Sequence, residues 1–313
     1  MTPVLFDAGL CVLILGVALA SVIVREAFAA IAFFIVYGLL VAIAWTRLDA
    51  VDVALAEVAI GAGLTGALFV GAMSRIAQAA EAQAAPRRHP ERLAVVGALL
   101  LCGGAGAALI FTVLQLPEVA VSLASLAEAN LALTGVTNKV TAVLINFRGY
   151  DTLLESVVLL VALIGVWSAT PDRFWGGPPG LQLAMTQDSV LGFFGAILPP
   201  VGFVVGAYLI WIGSSAPGGA FQGGTVWAAM LLLAVLAGLI DPPLVSKRSL
   251  RFGLVLGPAL FLAIGIAGIF RGSFLGLDPP IAKTLTLAIE VGLAVSIAAT
   301  LALLVIGKPR RAA

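Results

Sequence analysis

Carboxylates stand in three places of this sequence where hydrocarbon is expected: at Glu57, at the pair Asp151 and Glu155, and at Glu290, each inside or at the mouth of a long apolar run. A charge at the centre of a bilayer costs about 3 kcal/mol or more, so an acid within a spanning segment normally faces a bundle interior or a water path. The chemistry that suits such groups is the movement of ions or protons.

Glu57 closes the stretch Asp49-Ala50-Val51-Asp52-Val53-Ala54-Leu55-Ala56-Glu57. Asp52 stands where a helix begins, and a carboxylate there meets free backbone N–H groups and the positive end of the helix dipole, so a cap is its simplest role. Glu57 lies more than a turn further in. Ala59, Gly63, Ala67 and Gly71 follow it at four-residue spacing, a small-residue stripe suited to close helix packing. A glutamate beside such a seam is expected between helices, where it can take up and release protons; its alternative is a structural side chain bonded to a neighbouring helix.

Asp151 and Glu155 are four residues apart and share one helix face, with Arg148 three residues before Asp151. Two acids and a base at a membrane boundary suit a hydrated entry point for cations or protons, or equally a charge-neutralised clamp. Glu290 has no base within one helical turn on its face, Lys283 being two turns away, so it needs a partner from another helix, a proton or a water wire. The run Pro217-Gly218-Gly219-Ala220-Phe221-Gln222-Gly223-Gly224 lacks the Lys-Ser/Thr ending and the preceding strand of a phosphate loop. Its glycines permit tight turns at the membrane edge, and Gln222 can then bond across helices or to water; the alternative is a close-packed loop without ion contact.

The elements that must hold these groups are spanning helices. The chain has 313 residues, 61% of them hydrophobic and only 11% charged, with a mean hydropathy of +1.14. That composition is a polytopic membrane protein, all-α, in a lipid bilayer. A net charge of +1 offers nothing to nucleic acid. Cys11 and Cys102 sit in apolar runs and His89 is the single histidine, so the chain has no ligand set for zinc or an iron–sulfur cluster, and any redox cofactor would belong to a partner.

A span needs about 20 apolar residues, and nine runs qualify: 8–24, 27–45, 51–73, 93–114, 150–169, 189–213, 224–240, 252–270 and 284–306. The first lacks a basic leader and is followed by further spans, which marks a retained helix rather than a cleaved signal. Segment 115–149 reads as a loop with a short amphipathic helix. With the N-terminus outside and the C-terminus cytoplasmic, 12 of the 17 basic residues fall inside and five outside, Arg47, Lys139, Arg148, Arg271 and Lys283. The Ala/Gly-rich style suggests a bacterial plasma membrane. Polar linkers at Gln78–Arg92 and Pro171–Asp188 divide the chain into 1–92, 93–180 and 181–313, with three, two and four spans.

Together these segments resemble the Mrp-type cation/proton antiporters and the related membrane-bound hydrogenase and complex I-like modules. Asp52–Glu57 with the glycines after it is similar to the small D-type polypeptide of the hydrogenase, which corresponds to the C-terminal part of MrpA. Val140–Glu155 resembles the E-type polypeptide, with Asn146 where Asp is common and Lys139 in an otherwise apolar approach. Pro217–Gly224 and the last four spans resemble the MrpB or F-type module. The resemblance implies a fused D-E-F-like accessory subunit that is not itself an enzyme. It would work beside large antiporter-like membrane subunits and small Mrp-type subunits, with sodium ion and proton as the transported species.

The resemblance further implies that Glu57, Asp151, Glu155 and Glu290 line a hydrophilic path, with Asp52, Arg148, Lys139 and Gln222 beside it. The large antiporter-like subunits carry a mid-membrane lysine; all four lysines here lie in loops or near span ends, so transport is not expected from this chain alone. Two rival expectations remain: the same module in a redox-driven or carbon-uptake-linked ion pump, and a scaffold whose acids are structural.

Overall fold

The structure, a computed structural model, describes residues 3–73, 92–116, 123–180 and 190–310. The linker expected at 78–92 lies outside the described residues except for Arg92, as do 181–188 of the second linker and the basic residues Arg75, Arg87, Arg88 and Arg311.

Apolar runs bounded by glycine, proline and charge become helices, because within lipid every backbone N–H and C=O must be satisfied inside its own segment. In chain order they are α1 (Pro3–Ile23), α2 (Ala27–Arg47), α3 (Val51–Met73), α4 (Arg92–Leu114) and the short α5 (Leu123–Ala129). A 3-10 turn, Leu131–Thr134, follows. Next comes α6 (Lys139–Thr141), which runs on as a π-helix over Ala142–Phe147. The last five are α7 (Gly149–Ser168), α8 (Val190–Ile212), α9 (Ala220–Leu236), α10 (Arg248–Ile269) and α11 (Pro279–Ile306). Among the described residues there is no strand, only an isolated bridge between Pro179 and Pro309.

Eight of these helices are long and apolar enough to cross a membrane. The ninth run expected to span forms the apolar helix α9, which at 17 residues is shorter than those eight. It begins at Ala220 rather than 224, directly after the turn at Gly218 and Gly219. The fold is an all-α polytopic helical bundle.

Two compact units are formed, one from Met1–Met73 with Ala127–Ala313, the other from Ser74–Leu126. In the second, α4 is apolar around its whole circumference after Arg92, the pattern of a helix that faces lipid or other helices on every side. In the first, α11 is the central helix, packed on α9, α10 and α7, while α8 packs on α9 and α1 on α2. Phe261, Ile289, Leu293 and Ile297 form the fully buried heart of this core. A Cβ placed on Gly257 would stand 2.8 Å from the Leu293 Cα, so α10 and α11 touch nearly backbone to backbone, as small residues allow in membrane bundles.

The small-residue seam of α3 is not the one expected. Gly63 and Ala67 are exposed, while Ala62 packs on Gly38 of α2 and Gly66 on Ile35. Phe34 and Phe69 extend the contact edge to face. The cause is the winding of Glu57–Leu64, a π-helix in which each turn takes an extra residue and a four-residue stripe no longer stays on one face.

Candidate functional site

The start of α3, the π segment of α6, the first turns of α7 and α9 and the middle of α11 converge on one cavity of ≈ 210 Å³. Asp52, Glu155, Gln222 and Glu290 all line it, with Thr141, Thr152, Gly218 and Gly219.

Asp52 is buried in the first turn of α3, yet it does not act as that helix's cap. The N-cap position is Ala50 and carries no side-chain bond. The Asp52 carboxylate instead accepts from the Gly218 N–H at 2.9 Å and from Asn138 Nδ2 at 3.5 Å. Gln222 Nε2 donates to the Asp52 backbone carbonyl at 3.2 Å, the cross-helix bond its position allowed. Each donor comes from a different element, so the carboxylate is a tertiary junction.

The Gly218-Gly219 turn makes this possible. Gly219 has φ +121°, a backbone conformation that favours glycine. A Cβ on it would also stand 3.2 Å from Glu290 Oε1 and 3.4 Å from Gln222 Oε1. The loop therefore brings backbone, not side chain, against the acid of α11.

Glu290 is 3% exposed, and its Oε2 finds no hydrogen-bonding partner among the described residues. A buried carboxylate without a paired base or donor holds a proton or is met by water, since an unpaired buried charge is strongly disfavoured. Glu155 reaches the same cavity while remaining exposed. Thr141 and Thr152 turn their hydroxyls to the carbonyls of Gly213 and Leu144 at 2.6 and 2.8 Å, satisfying backbone near both irregular segments.

The other expected residues lie elsewhere. Glu57 is not a lining residue; its carboxylate folds over Gly61 on its own helix. Asp151 pairs with Arg148 at 2.6 Å in an exposed contact, so of the two acids on that helix only Glu155 lines the cavity. Lys139 is exposed and pairs with Glu128 at 2.6 Å. Asn138 is a site residue that sequence reasoning missed. Its Oδ1 accepts from Val140 N–H at 2.8 Å and its Nδ2 donates to Ala216 carbonyl at 3.0 Å, so it joins α6, the glycine turn and Asp52. The Asx pattern at a helix start was its only local signal.

A space of this size holds several waters, each taking about 30 Å³ in the liquid. Three acids around it can accept and hand on protons or counter a cation. Among the described residues there is no group of three or more His, Cys, Asp or Glu able to hold a metal ion.

Comparison with known proteins finds three family segments in the chain. Residues 12–78 match the MbhD family of MBH, 87–187 the MbhE family of MBH, and 190–308 the domain related to the MnhB subunit of Na+/H+ antiporter. An uncharacterized protein of Methanocaldococcus jannaschii is 30% identical over 154 residues, 44% of this chain and 59% of that protein. The structure of the Mrp complex from Dietzia sp. DQ12-45-1b aligns over 97% of this chain and 35% of its own, with TM-score 0.71 and 26% identity. The archaeal membrane-bound sulfane sulfur reductase aligns over 66% of this chain and 96% of its own, with 27% identity and TM-score 0.48. The chain thus spans 59% of the curated relative and about a third of the Mrp chain. It is a multi-pass membrane protein that carries MbhD, MbhE and MnhB domains in one polypeptide, the make-up of a fused Mrp/MBH-type subunit.

Proposed function

We propose that this chain is an accessory subunit of a multi-subunit Mrp-like sodium/proton antiporter and supplies carboxylates to its ion or proton path. The observation that carries the reading is the convergence of Asp52, Glu155 and Glu290 on one cavity from helices far apart in sequence, with one oxygen of Glu290 unpartnered among the described residues. Glu155, on the exposed side, receives ions or protons from water; Glu290 holds them in the interior; Asp52, bonded to Gly218 and Asn138, keeps the pocket electronegative. Gln222 fixes α9 against α3. The exposed Asp151–Arg148 pair stands one turn from Glu155 and tunes the approach. Glu57 contributes from outside this cavity, while Lys139, paired with Glu128, stands off the path.

The reading places the chain in the plasma membrane with its N-terminus outside, and divides it into modules 1–92, 93–180 and 181–313. Its partners are large antiporter-like subunits that provide the mid-membrane lysine, together with small Mrp-type subunits. The decisive experiment replaces Asp52, Glu155 and Glu290 singly by their amides in the assembled complex. Ion-dependent proton flux should fall where assembly survives; a scaffold would keep its flux.

The MbhD and MbhE matches favour one second reading, the same module inside a redox-driven pump. Copurification of an iron–sulfur or nickel protein in mild detergent would select it, and the cavity would serve the same purpose there.

A further inference from the structure

The two carboxylate oxygens of Glu290 have different surroundings. Oε1 stands against the backbone of Gly219 beside the cavity. Oε2 is buried and meets no hydrogen-bonding group among the described residues. One turn earlier on α11, Thr286 is 0% exposed and its hydroxyl also lacks a partner among them.

Orphaned buried polar atoms are uncommon, and two on adjacent turns of one helix require an explanation. A threonine in a helix ordinarily donates to the carbonyl four residues back. Thr225 and Thr46 do this here, to Phe221 and Ala42 carbonyls at 2.7 and 2.9 Å. Thr286 makes no such bond. Residues four apart lie over one another with Cβ atoms about 5–6 Å apart, a span that one water bridges. Three residues before Thr286, Lys283 is exposed near the start of α11. Lys283, Thr286 and Glu290 thus follow one another at three- and four-residue spacing, from exposed surface to buried acid.

We propose that a buried water bridges Thr286 Oγ1 and Glu290 Oε2, and that the Thr286 hydroxyl relays protons between Glu290 and the helix start at Lys283. This arm is separate from the cavity on the Oε1 side, and it rests on the reading of Glu290 as a path residue. In one passage a hydronium ion reaching in from the helix start gives its proton to the Thr286 oxygen and becomes water, as the hydroxyl gives its own proton to the bridging water. That water passes one of its protons to the Glu290 carboxylate. Hydroxyl and water are restored, and the net change is one proton moved and one carboxylate neutralised.

The test uses the assembled complex in proteoliposomes with Thr286→Val, which removes the hydroxyl at similar volume, Thr286→Ser, which keeps it, and Glu290→Gln. The expected result is a flux about a hundredfold lower for the valine variant, the lower range for a lost proton-transfer group, with most flux retained by serine. Density for a water between Thr286 and Glu290 is expected in the native complex and absent from the valine variant. Native flux in Thr286→Val beside an inactive Glu290→Gln overturns the relay but leaves Glu290 on the path. Native flux in Glu290→Gln removes the reading beneath it. Equal losses in the valine and serine variants indicate packing and also overturn the relay. Should the valine variant fail to assemble, the native water density decides, and its absence overturns the proposal.

Discussion

The backbone N–H of Gly218 donates to Asp52 Oδ1 at 2.9 Å across 166 residues of sequence. This bond ties the first turn of α3 to the turn that starts α9, and those two elements close the cavity from opposite parts of the chain. Its geometry depends on Gly219 next door, whose φ of +121° turns the chain while leaving room for Glu290.

Gly219→Ala should therefore abolish most ion-dependent proton flux. The substitution adds backbone strain of about 1–3 kcal/mol and places a methyl group against Glu290 Oε1. Gly272 is the control, because its φ is +112° and a Cβ there meets nothing within 4 Å. Gly272→Ala carries comparable strain without the contact, so its flux should remain near native. Equal flux losses in the two variants would mean that backbone strain alone is responsible.

Asn138→Leu removes the donor to Asp52 and to the Ala216 carbonyl, and the acceptor that caps α6. Loss of these bonds should cost about 1–3 kcal/mol, read as a lower melting temperature of the detergent-purified complex. Flux should fall further than stability does, because Asp52 then keeps only the Gly218 donor. An unchanged melting temperature would show that the junction is not held by Asn138.

The Lys139 ammonium beside Glu128 holds that carboxyl below the ordinary carboxylate value, chiefly through their hydrogen bond. A lowered value in the folded state means that any stabilisation is present at neutral pH and is lost as pH falls through the folded-state value. Both side chains are exposed, so solvent screening keeps the contribution small. Lys139→Gln should leave flux at the native level between neutral and mildly alkaline pH, measured in proteoliposomes. A marked loss would place Lys139 on the path despite its pairing.

The helices were legible in the sequence because length and hydropathy alone decide whether a segment can satisfy its backbone in lipid. Glu290 was legible for a related reason: a lone acid within an apolar run needs an explanation wherever the helix goes. The junction at Asp52 was not, since a sequence shows an acid at a helix start but not Gly218 or Asn138, which reach it from 166 and 86 residues away. Nor were the π-helices at Glu57–Leu64 and Ala142–Phe147. They carry no residue signature, and the first moves the packed stripe from Gly63 and Ala67 to Ala62 and Gly66. Similarly, Asp151 and Glu155 share a helix face in sequence, but the Arg148 ion pair keeps Asp151 on the exposed surface.

The central claim is that the acids around the cavity serve mobile ions, and Glu290→Gln tests it most directly. Glutamine retains the shape of the side chain and removes the exchangeable proton. In the assembled complex, reconstituted with native subunit composition, the account predicts that sodium-dependent proton flux falls by about a hundredfold, the lower range for loss of a positioned proton-transfer group. Native flux in a fully assembled Glu290→Gln complex would contradict it.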